Sequence, residues 1–529
     1  MNATHDGAPS SVTEEGTTAP RGLTQRALGG MLWTFSGTGI QLIAQLVVLM
    51  ALGRLLTPTD FGLMGAAAVV IAFSQIVSQM GVGPAMIQRR ELQPTHVRVA
   101  VTLSCILGLV LGAAVYFGAP AISAFYRMPE LEPVLQAIAF LFPLDGMNTV
   151  AKSLLTRQLR FRLLVGIEVG SYIVGYGVVG VVLAWKGYGV WALVLATLSQ
   201  VTLRTLVMYL VTRHPARPSL NLRASRDLLS FGIGHSMAQL GTVLSQQGDN
   251  LVVGRWLGAS ALGIYGRAYN LMVLPAGAFG KIVNRVLFPV MAQVQDEPQR
   301  LAGAYERALA IVALVSLPIS AFLWVVAPEF IPVLLGPAWT SVVLPFRLFT
   351  VGLWFRMSGK ISDVCASAAG AVYTRAMLQA LYAVLVVLGA LVGQRWGIGG
   401  VAVAVSIAMG INWLTMAALS RKVTGLPWST FIRAQVPGAV LALLLGGSVL
   451  LVAKAARAAD LGNVLVLLVT ALTAMLVTFA VSRLRPEIFL GSHGAWASRQ
   501  AEKFLRQGLR GLGLHRSATA EGLAKANQK

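Results

Sequence analysis

The chain has 529 residues, 56% of them hydrophobic and only 12% charged, where soluble domains carry about 25% charged residues. Too little polar residue remains to cover a soluble surface, and apolar runs of roughly 20 residues recur along almost the whole length, as in a polytopic helical membrane protein. The net charge of +22 is scattered between these runs, so it excludes nucleic acid as the expected partner and points to loops, tails and a cavity.

Residues 1–26 are polar and rich in Thr, Gly and Ser. They hold no apolar core, so no cleavable signal peptide is expected and the first span should target the chain. About fourteen spans follow. The first six are read at 28–52, 61–85, 97–120, 133–155, 164–185 and 189–212. The next six are read at 228–252, 260–286, 303–327, 341–368, 375–393 and 398–419, with two more at 432–453 and 461–481. Positive residues crowd the even loops: Arg89, Arg90 and Arg98 in the second, Arg157, Arg160 and Arg162 in the fourth, Arg213, Arg217, Arg223 and Arg226 in the sixth. Odd loops hold fewer, among them Arg54, Arg127, Lys186, Arg255 and Arg395. This bias places the even loops and both termini in the cytoplasm. After 483 the tail interleaves Phe504, Leu505 and Leu509 with Lys503, Arg506 and Arg510. It reads as a basic amphipathic helix on the inner leaflet or, equally, as a solvated tail.

One stretch recurs. Leu52-Gly53-Arg54, Gly62 and Gly65 match Val253-Gly254-Arg255, Gly263 and Gly266 at an offset of 201 (254 − 53). The same offset aligns two polar helical faces, with Gln41 and Gln45 on the first and Gln239, Gln246 and Asn250 on the second. The chain therefore reads as all-α, with two six-helix parallel repeats around a central cavity and two extra C-terminal helices. The lobes would be 27–226 and 227–430, followed by the helix pair 431–482 and the tail 483–529.

Charges inside spans are costly unless they face a cavity or a partner. In the eighth span Arg267 and Lys281 share a face, with Arg285 adjoining. In the tenth, Arg356, Lys360 and Asp363 lie at i, i+4 and i+7; in the fourth, Asp145, Asn148 and Lys152 lie at i, i+3 and i+7. Arg204 and Glu168 stand alone in the sixth and fifth. The plainer reading is that these groups pair with one another or snorkel. The surplus of cations in the second lobe instead favours an anionic ligand, held by Arg267, Lys281, Arg285, Arg356, Lys360 and Arg204, with Gln41, Gln45, Gln239, Gln246 and Asn250 for hydroxyls. Asp249, Asp363 and Glu168 are the carboxylates placed to carry a proton or hold a sodium ion. Gly175-Tyr176-Gly177-Val178-Val179-Gly180 matches a dinucleotide motif literally but lies inside a span, where small residues serve helix packing. No Walker-A, HExxH or paired CxxC sequence occurs, so no enzyme activity, cofactor or metal is expected. Cys105 and Cys365 read as small apolar residues.

Several motifs then fall in register with a known family. Leu56-Thr57-Pro58-Thr59-Asp60-Phe61-Gly62-Leu63 resembles its opening signature, and Met80-Gly81-Val82-Gly83-Pro84-Ala85-Met86-Ile87-Gln88-Arg89 the end of its second span. Asp249-Asn250-Leu251-Val252-Val253-Gly254-Arg255 and Gly263-Ile264-Tyr265-Gly266-Arg267-Ala268-Tyr269 are similar to its second-lobe signatures. This is the polysaccharide transporter branch of the multidrug/oligosaccharidyl-lipid/polysaccharide exporter superfamily, the Wzx-type flippases. The resemblance implies that a lipid-linked oligosaccharide on undecaprenyl diphosphate is flipped across the bacterial inner membrane, for exopolysaccharide, capsule or O-antigen synthesis, by alternating access. It implies membrane lipids, a polysaccharide polymerase and a chain-length regulator as partners. The alternatives are a cation-coupled multidrug exporter of the same superfamily, whose cavity should be acidic or aromatic, and a non-transporting component of the synthesis complex.

Overall fold

The computed structural model describes residues 39–79, 82–88, 93–213, 219 and 222–484. The terminal segments 1–26 and 485–529, and with them the expected amphipathic tail, lie outside these residues, as do Arg89, Arg90 and Arg217. Among the described residues all regular structure is helical. In chain order the helices are α1 (Gly39–Leu55), α2 (Pro58–Gln79), α3 (Val82–Gln88), α4 (Pro94–Tyr126), α5 (Leu131–Ile138) and α6 (Leu141–Arg157). Next come α7 (Phe161–Tyr172), a π-helix over Ile173–Gly180, α8 (Val181–Trp185), α9 (Val190–Thr212) and α10 (Leu222–Ala292). The rest are α11 (Pro298–Leu335), α12 (Val343–Ala368), α13 (Val372–Gly393), α14 (Gly397–Thr424), α15 (Trp428–Arg433), α16 (Val436–Ala458) and α17 (Asn463–Leu484). Ten segments of the described chain are long and apolar enough to cross a membrane, one of which, Val372–Thr424, holds both α13 and α14.

Two sharp bends organise the fold. Between α1 and α2 the chain turns at Thr57, and the turn is written in the sequence. The Thr57 hydroxyl and backbone N–H both donate to Asp60 Oδ2, at 2.7 and 2.9 Å, and Asp60 N–H donates back to Thr57 Oγ1. Pro58 occupies the first helical position, where its missing N–H costs nothing. The second bend breaks α10 at Gly258, whose φ of 88° and ψ of 178° belong to a region open essentially to glycine alone. Helices 259–292 and α2 then cross at their starts. A Cβ on Gly62 would lie 1.7 Å from the carbonyl oxygen of Ala259, and one on Gly263 would lie 1.8 Å from that of Pro58. Both pairs stand at the offset of 201, so the contact is reciprocal.

The crossing belongs to a seal at the end of the bundle that carries the odd loops. Arg54 Nη2 donates to the carbonyl of Val333 at 2.8 Å, and the fully buried Trp339 donates from Nε1 to the carbonyl of Gly53 at 2.7 Å. Phe61 meets Trp339 edge-on with ring centroids 5.3 Å apart. Across the bundle, Arg255 lies over the Phe125 ring. One hydrophobic core runs through both halves, from Leu52, Phe61 and Ala66 to Leu262, Tyr265 and Leu353.

At the far side α16 is tied to α11 by a fork. Arg457 donates from Nε and Nη2 to the two carboxylate oxygens of the buried Glu329, at 2.7 and 3.0 Å, and from Nη2 to the carbonyl of Val325. Arg457→Ala strands a buried carboxylate, and is expected to lower stability by about 3 kcal/mol. Thermal unfolding in detergent reads this, and adding Glu329→Gln should recover part of the loss.

Candidate functional site

Two polar cavities lie between the seal and the opposite end of the bundle. The first, of about 580 Å³, is bounded by α1, α2, the π-helix, α9 and the second half of α10. Gln41 and Gln45 of α1 and Gln200 of α9 face it. Tyr172 and Tyr176 also line it, stacked with centroids 5.2 Å apart and planes at 21°. Tyr172 ends α7 and Tyr176 lies in the π-helix that follows, and their i, i+4 spacing puts both rings on one helical face. Tyr176 Oη shares a hydrogen bond of 2.7 Å with Thr197 Oγ1. Arg267 is the one charged side chain among the described residues of this lining, and its guanidinium sits 4.1 Å from the centre of the Phe61 ring.

The second cavity, of about 570 Å³, is bounded by α10, α12, α13 and α14. Among the described residues its lining holds three cations, Arg356, Lys360 and Arg375, and one carboxylate, Asp363. Lys360 Nζ bonds Asp363 Oδ2 at 2.7 Å, and Arg375 Nε bonds Asp363 Oδ1. Arg356 Nη1 donates to Tyr269 Oη at 2.8 Å. Gln239 and Gln246 complete the α10 wall, and Gln379 Nε2 donates to Ser245 Oγ at 3.0 Å. Three charge-bearing donors around one space suit a phosphate, for which Arg offers a planar fork and Lys a point charge. Amide side chains and aromatic rings in the first cavity suit the hydroxyls and apolar faces of sugars.

The structure rearranges the expected set. Arg267 was expected beside Arg356 in the second lobe's lining, but it faces the first cavity with Gln41 and Gln45, because the bend at Gly258 turns 259–292 across the bundle onto α2. Arg204 is taken by Asp145 at 2.7 Å, and Glu168 by Lys152 at 3.2 Å. These pairs tie α6 to α9 and α7, so the stripe of the fourth span is spent on packing helices. Asn250 bonds its helical neighbour Gln247 through Nδ2 at 2.9 Å. Asp249 is 1% exposed and accepts from Tyr265 Oη at 2.6 Å and from the Asn250 N–H at 2.9 Å. Lys281 and Arg285 lie on α10, with side chains outside those described. Gly175 packs within 2.7 Å (as its would-be Cβ) of the Ala196 carbonyl, so the dinucleotide-like motif serves helix packing. Cys105 and Cys365 are free thiols.

Sequence reasoning missed Arg375, Gln379 and Tyr382, which recur at i, i+4 and i+7 along α13 and all face the second cavity. The spacing was visible, but Arg375 is the first residue of the span read at 375–393, where a charge at a helix end can snorkel. Tyr172 and Tyr176 were missed although their i, i+4 spacing was visible, because the spacing does not say which side of the fifth span faces a cavity.

The sequence family described as polysaccharide biosynthesis protein matches residues 51–344. The teichuronic acid biosynthesis protein TuaB of Bacillus subtilis (strain 168) is 28% identical over 326 residues, 61% of this chain and 67% of that one. The lipopolysaccharide biosynthesis protein WzxC of Escherichia coli (strain K12) is 27% identical over 331 residues, 62% of this chain and 67% of that one. Among solved structures, the lipid II flippase MurJ in an inward closed conformation superposes with a TM-score of 0.68 at 15% identity, covering 86% of this chain and 99% of that one. At that identity the likeness is one of fold.

Proposed function

Because this chain belongs to the polysaccharide biosynthesis protein family, we propose that it flips a lipid-linked oligosaccharide across the bacterial inner membrane during synthesis of a surface polysaccharide. The observation that carries this reading is the basic second cavity, with Arg356, Lys360 and Arg375 around a space of phosphate-binding chemistry inside a membrane protein. A substrate on undecaprenyl diphosphate supplies the anion, and its sugars meet the amides and tyrosines of the first cavity. Residues 27–226 and 227–430 act as two lobes that rock about the crossing of α2 and 259–292, with 431–482 as an added helix pair. The two termini then lie in the cytoplasm. A polysaccharide polymerase and a chain-length regulator are the partners that receive the product. A drug-cation exporter would favour an acidic or aromatic cavity; the first cavity does carry tyrosines, but the three cations to one carboxylate among the described lining of the second oppose that reading.

The test is a strain lacking this chain. Lipid-linked repeat units should accumulate on the cytoplasmic leaflet, out of reach of an impermeant glycan label added from outside. Equal labelling with and without the chain would remove the flipping activity from the account. Orientation is checked separately. Reporter fusions after Arg485 and between Arg213 and Arg226 should report cytoplasm, and one near Arg127 should report periplasm. The inverse pattern would overturn the orientation.

A further inference from the structure

The second cavity contains its own anion. Asp363 is the one carboxylate among the described residues of the lining, and both its oxygens are engaged, Oδ2 by Lys360 of α12 and Oδ1 by Arg375 of α13. The acid is the most covered member of the cluster, 17% exposed against 32% for Lys360 and 40% for Arg375, and all three line the cavity. Arg356 lies one turn before Lys360 and two before Asp363 on α12, and its hydrogen bond is to a neutral partner, Tyr269 Oη. A carboxylate that bridges two cations with its two oxygens occupies the place, and makes the contacts, that one phosphate group would.

We propose that Asp363 is a built-in counter-anion, displaced from Lys360 and Arg375 by the phosphate of an incoming substrate and returning to them when the substrate leaves. The proposal rests on the reading of a diphosphate-bearing substrate. Its physical basis is charge balance. A carrier must change conformation both loaded and empty, and uncompensated cations enclosed in a low-dielectric site are costly in either state. The substrate's phosphates neutralise the loaded site. In the empty site Asp363 offsets one of the three positive charges and holds the two nearest cations together, and by competing with phosphate it keeps binding weak enough for release.

This assigns Asp363→Asn an unusual sign. If the carboxylate merely tied α12 to α13, the asparagine variant would bind an anion less well or no differently. As a competitor its removal frees two donors, so binding tightens while turnover falls. The experiment uses the full chain purified in detergent, with farnesyl diphosphate as the probe. Affinity for Asp363→Asn should exceed that of the wild type by about tenfold, the equivalent of one charge-assisted contact. Export in cells should fall, and Asp363→Glu should bring the affinity back toward the wild-type value. Asp363→Ser serves as a second neutral variant if the asparagine one does not fold. Wild-type binding with no gain in either neutral variant overturns the counter-anion while leaving the diphosphate reading in place. Failure of both the wild type and the variants to bind the probe removes the diphosphate reading, and the counter-anion with it.

Discussion

Arg356→Ala is expected to reduce polysaccharide export at least tenfold at unchanged protein level. Arg356 lines the second cavity from α12, and its guanidinium is held by Tyr269 Oη at 2.8 Å, with the ring centre 5.5 Å away. That orientation leaves the rest of the planar fork for the ligand. A charge-assisted contact to phosphate is worth roughly 1.5–3 kcal/mol, about tenfold or more in affinity. The substitution also leaves the Tyr269 hydroxyl without its donor. Arg356→Lys should rescue only in part, because an ammonium restores the charge but not the bidentate geometry. Arg267→Ala should act differently. Arg267 sits against Phe61 among amides and tyrosines, so its loss should alter which glycans are accepted as well as the rate. Polymer yield per cell, with membrane protein levels measured in parallel, reads both variants. Undiminished yield from Arg356→Ala would assign that residue to structure.

Gly62→Ala and Gly263→Ala should cost most where the bundle is sealed. Each added methyl would fall within 2 Å of a backbone carbonyl, at 1.7 and 1.8 Å respectively, and a backbone oxygen cannot move aside as a side chain does. The helices must separate by roughly 1 Å or more, at a cost of about 1–3 kcal/mol for each methyl. The cost falls on the conformation that has this seal formed, so the population should shift by about tenfold for every 1.4 kcal/mol toward the state open at that end. A cysteine at Leu335, which is fully buried beneath the seal, reports this in a chain whose free Cys105 and Cys365 are replaced by alanine. Its labelling by an impermeant thiol reagent from outside should rise in Gly62→Ala and rise further with Gly263→Ala added. Unchanged labelling with normal export would show that the crossing carries no gating role.

Much of the fold was legible. The apolar runs predicted 133–155, 164–185, 189–212 and 341–368 close to the helices found. The motif at Leu56–Leu63 turned out to be a turn instruction: Thr57 and Asp60 cap α2, Pro58 starts it, and Gly62 admits the carbonyl of Ala259. The offset of 201 pointed to the same glycine pair before any coordinates. Periodicity could not say which cavity Arg267 faces. It fixes a residue's direction relative to its own helix, whereas the rotation of 259–292 against its neighbours depends on Gly258 and on packing over α2. Nor could it separate ligand-facing charges from paired ones. Arg204 and Arg356 look alike in sequence, yet Asp145 claims the first and only a tyrosine hydroxyl holds the second. Trp339, whose indole seals the bundle against Gly53, sits in a short 3₁₀ segment between α11 and α12 that carries no periodic signal at all.

In the proposed mechanism a membrane-embedded basic cavity carries an anionic, lipid-linked glycan between leaflets. The most direct measurement is translocation in sealed proteoliposomes of a fluorescent oligosaccharide on a polyprenyl diphosphate, scored by quenching from outside. The wild type should move the label between leaflets, and a variant with Arg356→Ala, Lys360→Ala and Arg375→Ala, folded by thermal unfolding, should not. Equal translocation by the two proteins would contradict the claim.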